Sequence, residues 1–344
     1  MSSRKSKQPT IWDIAIKLNV SISTVSRALR NAGDINPETK KAVLEMAEKL
    51  DYQPNAIASS LRKSKTSVIG VMVPEFIHPY FPRVILGIQE IANAMDYKVI
   101  VMQSNESYEI EKQNIQAMFA LRVDGLIMAV SRETTDFEHI RSIQKKGIPI
   151  VFFNRVSDEL VGSKVVVDDY RGAFLAVEHL ILTGCKRIAH LAGPDKLTMS
   201  INRRNGYLDA LRTHGIAADG RLIMHSDFVE GRARTYMQEL LNNPDRPDGV
   251  FAVNDPTAIE ALICLKDNDV RIPDEISLIT FSNAPHSSFV SPSLTSVVQP
   301  LENIGLVAVQ LLLRQIDEGQ YFTPETVTLD TELVVRKSTR NLAD

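Results

Sequence analysis

The stretch TIWDIAIKLNVSISTVSRAL, residues 10–29, decides the class of this protein. Thr10 at an N-cap and Asp13 three residues later predict a capped first helix, because each side chain can satisfy an unpaired backbone donor of the first turn. Ser21 can cap a second helix that runs to Leu29. Two short helices joined by such a turn form a helix-turn-helix, whose second helix enters the major groove of DNA. We therefore expect a sequence-specific DNA-binding protein.

The distribution of charge separates this interpretation from the alternative that the two helices are merely a packed pair. Residues 1–66 carry 12 Lys and Arg against 6 Asp and Glu, a net charge of +6, whereas the rest of the chain has a net charge of −9. A basic segment on an acidic chain is typical of phosphate binding by one domain. A third helix, capped by Asn36 with Pro37 at its first position, can close a small core.

The segment YQPNAIASSLRK, residues 52–63, follows the three predicted helices. Asn55 can cap one or two helical turns here, but the segment is too short and too rich in serine to be a stable helix alone in water. Such a segment can fold when it meets DNA. We therefore expect a helix-turn-helix domain at residues 1–54, a hinge helix and linker at residues 55–66, and a body at residues 67–344.

Three motifs resemble the head and hinge of the lactose-repressor (LacI/GalR) family of bacterial transcriptional regulators: IWDIA at residues 11–15, VSISTVSRAL at 20–29 and YQPNAIASSL at 52–61. The resemblance implies that Ile22, Ser23 and Arg27 read bases. It also implies that Leu61 wedges into the central base step of the minor groove. The family usually has Asn directly after the recognition helix, where this chain has Arg30. The full set of DNA-contacting residues that the resemblance implies is Thr10, Ser21, Ile22, Ser23, Thr24, Arg27, Arg30, Tyr52, Asn55, Ala58 and Leu61.

The rest of the chain alternates short apolar runs with amphipathic segments. A first series runs from Val68–Val73 to Pro149–Phe153, and a second begins at Lys164–Val167 and ends at Ile276–Phe281. Strands that alternate with helices of ten to fifteen residues predict parallel sheets covered on both faces. We therefore expect two doubly wound α/β lobes of similar size. Ligands of such sheets sit at the carboxyl ends of strands, so the cleft between the lobes is the expected site.

This body resembles the core of the same family, which has the architecture of a type I periplasmic sugar-binding protein. The motifs that carry the resemblance are IGVMVP at residues 69–74, RVDGLI at 122–127, IAHLAGP at 188–194 and IPDEISLI at 272–279. The resemblance implies three crossings between the lobes, near Val166, Val297 and Thr328. The lobe boundaries that follow are about 67–165 with 298–327 for lobe 1, and about 166–296 with 328–344 for lobe 2.

The family resemblance also implies a small-molecule effector in the cleft. Arg203 matches an effector-binding arginine, whose guanidinium fork suits vicinal hydroxyls, carboxylate or phosphate; the alternative is a surface ion pair on its own helix. Asn254 follows a strand and can bridge ring hydroxyls, whereas Asp255 is expected to cap the next helix. The effector-contacting residues that we expect are Tyr80, Phe81, Ser131, Asn154, Arg155, Arg203, Phe228, Asn254 and Ser282.

Ser282 departs from the family, which commonly has Asp after this strand. The missing carboxylate removes an acceptor and a negative charge, and Arg155 adds a second arginine to the cleft. The effector is therefore expected to be anionic or to be held mainly through the other lobe, and the two arginines suit a sugar phosphate or an acidic sugar. A neutral sugar or a nucleobase stays open.

Composition and motifs argue against several other classes of protein. The 344 residues are 44% hydrophobic, and the two cysteines, Cys185 and Cys264, have no metal-ligand spacing. The N-terminus has no apolar run after its basic residues, and no apolar run reaches the length of a membrane span. Nucleotide-binding glycine motifs, a nucleophile elbow and a zinc-protease motif are missing. We therefore expect a cytoplasmic protein without cofactor or metal, without membrane contact and without enzyme activity.

These observations predict a repressor that binds a near-palindromic operator in double-stranded DNA as a homodimer and responds allosterically to a small molecule. The sequence does not decide whether the effector releases DNA or strengthens its binding. The alternatives are a sugar-binding protein of the same core fold without a regulatory role, and a doubly wound enzyme. The basic head disfavours the first alternative, and the missing catalytic groups disfavour the second.

Overall fold

The computed structural model describes residues 9–52 and 65–341. The chain separates into two compact units, with the division after Thr66. We call the first unit the head and the second the body, and each is described by itself.

The described head consists of three helices: α1 (Ile11–Leu18), α2 (Ile22–Leu29) and α3 (Pro37–Lys49). The three begin where the capping residues of the sequence place them. The Thr10 amide donates to Asp13 Oδ2 at 2.7 Å, and Ser21 Oγ accepts from the Thr24 amide at 3.0 Å. Apolar side chains from all three helices, among them Ile14, Val25 and Val43, are fully buried against one another and form the core of the head.

The described body is built from twelve strands and nine helices. The strands are β1 (Val68–Val73), β2 (Lys98–Gln103), β3 (Gly125–Met128), β4 (Ile150–Phe153), β5 (Ser163–Val167), β6 (Ile188–Ala192), β7 (Ile223–His225), β8 (Gly249–Ala252), β9 (Ser277–Ser282), β10 (Thr295–Val298), β11 (Thr326–Leu329) and β12 (Glu332–Val334). The helices are α4 (Tyr80–Ala94), α5 (Tyr108–Ala120), α6 (Glu138–Lys145), α7 (Asp169–Leu182), α8 (Thr198–Thr213), α9 (Arg232–Asn242), α10 (Asp255–Asp267), α11 (His286–Phe289) and α12 (Leu301–Glu318). Short 3-10 turns lie at Gly220–Leu222 and Gly319–Tyr321.

The strands form two six-stranded sheets, in the orders β11-β5-β4-β3-β1-β2 and β12-β10-β9-β8-β6-β7. Neighbouring strands are parallel, as in the pairing of Ile69 with Gly125, except that β12 runs antiparallel to β10. Helices cover the sheets, and the inner strands of each sheet are mostly buried, whereas the edge strands β2, β7, β11 and β12 are only partly buried. The two-lobed, doubly wound fold expected from the sequence is therefore confirmed.

Close packing of α4 against α12 covers one face of the first sheet. A Cβ atom on Gly87 would lie 2.1 Å from the Glu302 carbonyl oxygen, and one on Gly305 would lie 2.1 Å from the Val84 carbonyl oxygen. The two helices therefore approach at a distance that only glycine permits.

The sequence assigned the strand at Lys164–Val167 to the second series, and that assignment is wrong. This strand, β5, pairs with β4 and β11 in the first sheet. Its apolar pattern resembles that of any buried strand and carries no information about its neighbour. The chain consequently leaves the first sheet after Val167, returns to it after Val298 and leaves it again after Leu329.

None of the described helices is both long and apolar enough to cross a bilayer.

Candidate functional site

A cavity of about 720 Å³ opens between the two sheets of the body. This volume is in the range of small-molecule binding sites. Its lining comes mainly from segments that follow the carboxyl ends of strands in both sheets. Of the nine residues predicted for the effector site, eight line it: Tyr80, Phe81, Asn154, Arg155, Arg203, Phe228, Asn254 and Ser282.

Arg203 is buried at the cavity wall and is not a surface ion pair. Its side chain is 1% exposed, and Nε donates to Asp169 Oδ1 at 2.8 Å. Nη1 donates to the Val253 carbonyl at 2.5 Å, and the guanidinium lies 3.6 Å from the ring centroid of Phe281. Burial raises the pKa of Asp169, while the Arg203 charge opposes that shift. The guanidinium is thus held rigidly, with one edge toward a carboxylate.

Arg155 bridges the two walls of the cavity. Its guanidinium lies 5.8 Å from the ring centroid of Phe81 in one lobe and 5.7 Å from that of Phe228 in the other. Nη1 also donates to Glu106 Oε2 at 2.6 Å, and both charged side chains are largely buried. Arg155 is therefore paired with a carboxylate, as Arg203 is.

Two residues that the sequence analysis missed, Glu106 and Arg132, complete this part of the site. Glu106 follows β2, and its Oε2 also accepts from the Arg132 amide at 2.8 Å. Arg132 follows β3, and its Nη1 donates across the cavity to the Asp227 carbonyl at 2.8 Å. Burial acts to raise the pKa of Glu106, but the arginines Arg155 and Arg132 lower it overall. The carboxyl-end rule, applied to β2 and β3, would have flagged both residues.

The helix cap is Asn254 and not Asp255, which was expected to be the cap. Asn254 is the N-cap of α10, because its Oδ1 accepts from the Thr257 amide at 3.0 Å. Asp255 is 1% exposed and accepts from Thr280 Oγ1 at 3.0 Å and from the Ala284 amide at 2.5 Å. Burial raises its pKa. Asp255 therefore ties α10 to the end of β9, while the Asn254 side chain caps the helix at the cavity wall.

Ser282 is bonded to a residue on a segment that crosses between the lobes. Gln299 Nε2 donates to Ser282 Oγ at 2.8 Å. Gln299 Oε1 and the hydroxyl of Tyr80 are both buried without a well-aligned hydrogen bond. Burial raises the pKa of Tyr80 far above its usual value, so the phenol is neutral.

Ser131, the ninth predicted residue, is absent from the described lining of the cavity. Its hydroxyl is bonded to Ser104 Oγ at 2.6 Å, and its amide donates to Glu111 Oε2 at 2.6 Å. Glu111 is fully buried and also accepts from Thr134 and His139. Ser131 therefore belongs to a polar network that fixes the loop after β3.

The residues predicted to contact DNA occupy α2 and its flanks in the head. Ser23 is exposed and Ile22 half-buried at the N-terminal end of α2, and Arg27 is paired with Asp34. Arg30 folds back, with Nε donating to the Ser26 carbonyl at 2.8 Å. Of the remaining predicted contacts, Thr10 and Ser21 serve as helix caps, and Thr24 and Tyr52 are half-buried. Asn55, Ala58 and Leu61 lie outside the described residues.

Comparison with known proteins identifies the family to which this chain belongs. Residues 10–55 match the model described as bacterial regulatory proteins, lacI family, and residues 177–339 match a periplasmic binding protein-like domain. The ribose operon repressor of Halalkalibacterium halodurans is 32% identical over 331 residues, which cover 96% of this chain and 97% of that protein. This chain belongs to the LacI family. The transcriptional repressor CytR of Escherichia coli K12 is 33% identical, with 97% of each chain covered.

Solved structures of LacI-family proteins share the fold over the same length. The lac repressor dimer bound to operator and the anti-inducer ONPF has a TM-score of 0.85 at 26% identity, covering 97% of this chain and all of that one. The complex of the regulator CelR with cellobiose has a TM-score of 0.73 at 29% identity, covering 96% of this chain and 99% of that one. The relatives are transcriptional repressors, which are not enzymes. The family and the non-enzymatic class expected from the sequence are confirmed.

Proposed function

We propose that this protein is a ligand-responsive transcriptional repressor that binds a near-palindromic operator as a homodimer. The observation that carries the proposal is that one chain joins a LacI-family helix-turn-helix to a cavity lined from both lobes of the body. A ligand in such a cavity contacts both lobes, and it can therefore bias their relative angle. Linkage then requires that DNA and effector change each other's affinity by the same factor.

In this proposal α2 enters the major groove and reads bases through Ile22, Ser23 and Arg27. Arg27 exchanges its partner Asp34 for a base edge when DNA binds. The hinge then folds between the two heads and places Leu61 in the minor groove, where an apolar wedge can open a base step. The other DNA contacts are assigned to Thr10, Ser21, Thr24, Arg30, Tyr52, Asn55 and Ala58.

The proposed effector site consists of the eight predicted residues that line the cavity, together with Glu106, Arg132 and Gln299. Ser131 is left out because its side chain is bonded elsewhere. Structures of family members with bound cellobiose and with bound ribose favour a sugar or a sugar derivative as the class of effector.

Selection of bound sequences from a random DNA pool by the full-length protein, at one fixed salt concentration, tests this function. We expect enrichment of two inverted half-sites, because a two-fold symmetric dimer presents two recognition helices. The selection is repeated with ribose and with cellobiose, in case the effector is required for binding. A flat profile in all three selections contradicts the proposal and favours a sugar-binding protein without a regulatory role.

Replacement of Arg27 by alanine tests the placement of the recognition helix. We expect R27A to relax base preference at one position of each half-site, at a cost of about 1–3 kcal/mol of discrimination. The matched control is R141A, which removes an arginine from an exposed ion pair of the body. Competition binding with operators mutated one position at a time measures the effect. An R27A profile that matches the R141A profile would move base recognition to other residues.

A further inference from the structure

The turn that follows β7 carries Phe228 to the cavity in a backbone conformation that is unusual for its side chain. The Val229 amide donates to the Ser226 carbonyl at 3.0 Å and closes the turn. The two central residues, Asp227 and Phe228, have φ angles of 54° and 56°. A turn with positive φ at both central positions favours glycine, asparagine and aspartate. Phenylalanine is costly there, so contacts outside the turn must stabilise this conformation.

Some of these contacts come from the same lobe as the turn. A Cβ atom on Gly193, which follows β6, would lie 2.9 Å from Cζ of Phe228 and 3.0 Å from its Cε1. The Phe228 ring therefore packs closely against the Gly193 backbone. The Asp227 carboxylate accepts from Arg232 Nη1 at 2.7 Å, at the start of α9. These contacts stay within lobe 2, so they do not depend on the angle between the lobes.

Two arginines of lobe 1 supply further contacts. Arg132 Nη1 donates to the Asp227 carbonyl at 2.8 Å. The Arg155 guanidinium lies 5.7 Å from the ring centroid of Phe228. Glu106 holds both arginines, because its Oε2 accepts from the Arg132 amide at 2.8 Å and from Arg155 Nη1 at 2.6 Å. One carboxylate of lobe 1 thus orients two cations toward two consecutive residues of lobe 2.

The bond from Arg132 is of a kind that can break when the lobes move. Its acceptor is an uncharged carbonyl, so the bond lacks the Coulomb attraction that Arg155 and Arg203 have to their carboxylates. Arg132 is also only half-buried, so water can replace the carbonyl. If the lobes part, the turn keeps its unfavourable backbone conformation but loses the contacts from lobe 1. Its conformation is then expected to change.

We propose that Arg132 is a positioning residue of the effector site. It holds the turn at residues 226–229, and with it the Phe228 ring, in the cavity wall while the lobes are close together, and it releases the turn when they part. The aromatic part of the wall is therefore complete only in the arrangement in which both lobes can contact one ligand. This role does not require Arg132 to touch the ligand. The proposal deepens the proposed function and rests on its effector site.

Hydrogen–deuterium exchange of the full-length protein, without DNA and without ligand, tests this role. R132Q removes the guanidinium, so we expect the Val229 amide to exchange about tenfold faster than in the wild type, as for the loss of one hydrogen bond to a charged group. Amides of the buried strand β8 report on lobe 2 as a whole and should exchange at an unchanged rate. The matched control is R83Q, which removes a guanidinium of the cavity lining that is paired with Glu302 of its own lobe at 2.9 Å. R83Q should leave the exchange of the Val229 amide unchanged.

A folded R132Q whose Val229 amide exchanges as in the wild type overturns the proposal. Equal acceleration at Val229 and in β8 also overturns it, because Arg132 would then stabilise lobe 2 in general. The wild type alone decides if R132Q does not fold. The Asp269 amide makes a bond of the same length, 3.0 Å, to the Lys266 carbonyl within lobe 2. After correction for the intrinsic rate of each residue, the Val229 amide should exchange more slowly than the Asp269 amide, and equal or faster exchange overturns the proposal.

The two proposals fail separately, because the exchange measurement contains neither DNA nor effector. Failure of operator selection leaves the exchange result standing. Failure of the exchange test leaves the DNA-binding proposal standing.

Discussion

The head and the body each place an arginine opposite an aspartate, but they do so in opposite surroundings. Arg27 and Asp34 of the head are 47% and 60% exposed. Arg203 and Asp169 of the body are 1% and 7% exposed. An exposed pair is screened by water and contributes about 0–1 kcal/mol, whereas removing one partner of a buried pair leaves a charge without compensation.

The difference matches what each arginine is proposed to do. Arg27 must leave Asp34 to reach a base, and a weak pair permits that exchange at little cost. Arg203 must hold one geometry against a ligand, and its ion pair, the Val253 carbonyl and the Phe281 ring together fix it. An arginine–aspartate pair is thus an exchangeable contact in the head and a rigidly held part of the cavity wall in the body.

Breaking the buried pair should have the largest effect. D169N leaves the Arg203 guanidinium buried without a carboxylate, so we expect a loss of about 3–5 kcal/mol in the free energy of unfolding of the body. Urea denaturation followed by circular dichroism measures the loss. The control D267N makes the same substitution in an exposed pair and should cost less than about 1 kcal/mol. Equal losses of unfolding free energy in D169N and D267N would show that the buried pair contributes no more to stability than the exposed pair.

Local signals in the sequence predicted the head, and long-range pairing hid part of the site. The caps at Thr10, Ser21 and Asn36 depend on neighbours two or three residues away, so they are visible in the sequence. The partners Glu106 and Arg155 are 49 residues apart in the sequence, and the residues around either one do not predict the other as its partner. Knowledge of which strands are adjacent would be needed to join them.

The cavity residues show where pattern reasoning succeeds and where it stops. The family resemblance, together with the rule that ligands lie at the carboxyl ends of parallel strands, predicted eight of the residues that line the cavity. It did not distinguish the cap Asn254 from the buried Asp255, because either residue type can occupy an N-cap. It also selected Ser131, whose hydroxyl bonds to Ser104 and whose amide donates to Glu111.

His190 extends the comparison to a buried group that has no charged partner. Its ring stacks on Phe251, with centroids 4.7 Å apart, and Nδ1 donates to the Phe251 carbonyl at 3.0 Å. Burial lowers the pKa of His190 to about 3. In the unfolded chain it titrates near the usual 6.5, so between pH 7 and pH 5 only the unfolded state takes up the proton. The free energy of unfolding should therefore decrease as the pH is lowered from 7 to 5, by about 2 kcal/mol from His190 alone.

The measurement is urea denaturation at pH 7 and pH 5 for the wild type and for H190Q, which removes the titrating ring. We expect the difference between the two pH values to shrink by about 2 kcal/mol in H190Q, because the His190 contribution is gone. H78Q, which replaces an exposed histidine, is the matched control for removal of an imidazole ring. If H190Q keeps the pH dependence of the wild type, His190 is not the group responsible.

Removal of the exposed carboxylate of the head should have the smallest effect on stability. D34N frees Arg27 from a pair that water already weakens, so we expect less than about 1 kcal/mol of change in the unfolding free energy of the head. The chain has a single tryptophan, Trp12, which lies in α1, so its fluorescence reports on the head alone during denaturation. Operator affinity should rise, because one negative charge beside α2 is gone and Arg27 no longer has to leave a partner. Unchanged operator affinity together with a large loss of stability would mean that Asp34 stabilises the head. Its role would then not be limited to pairing with Arg27 in the absence of DNA.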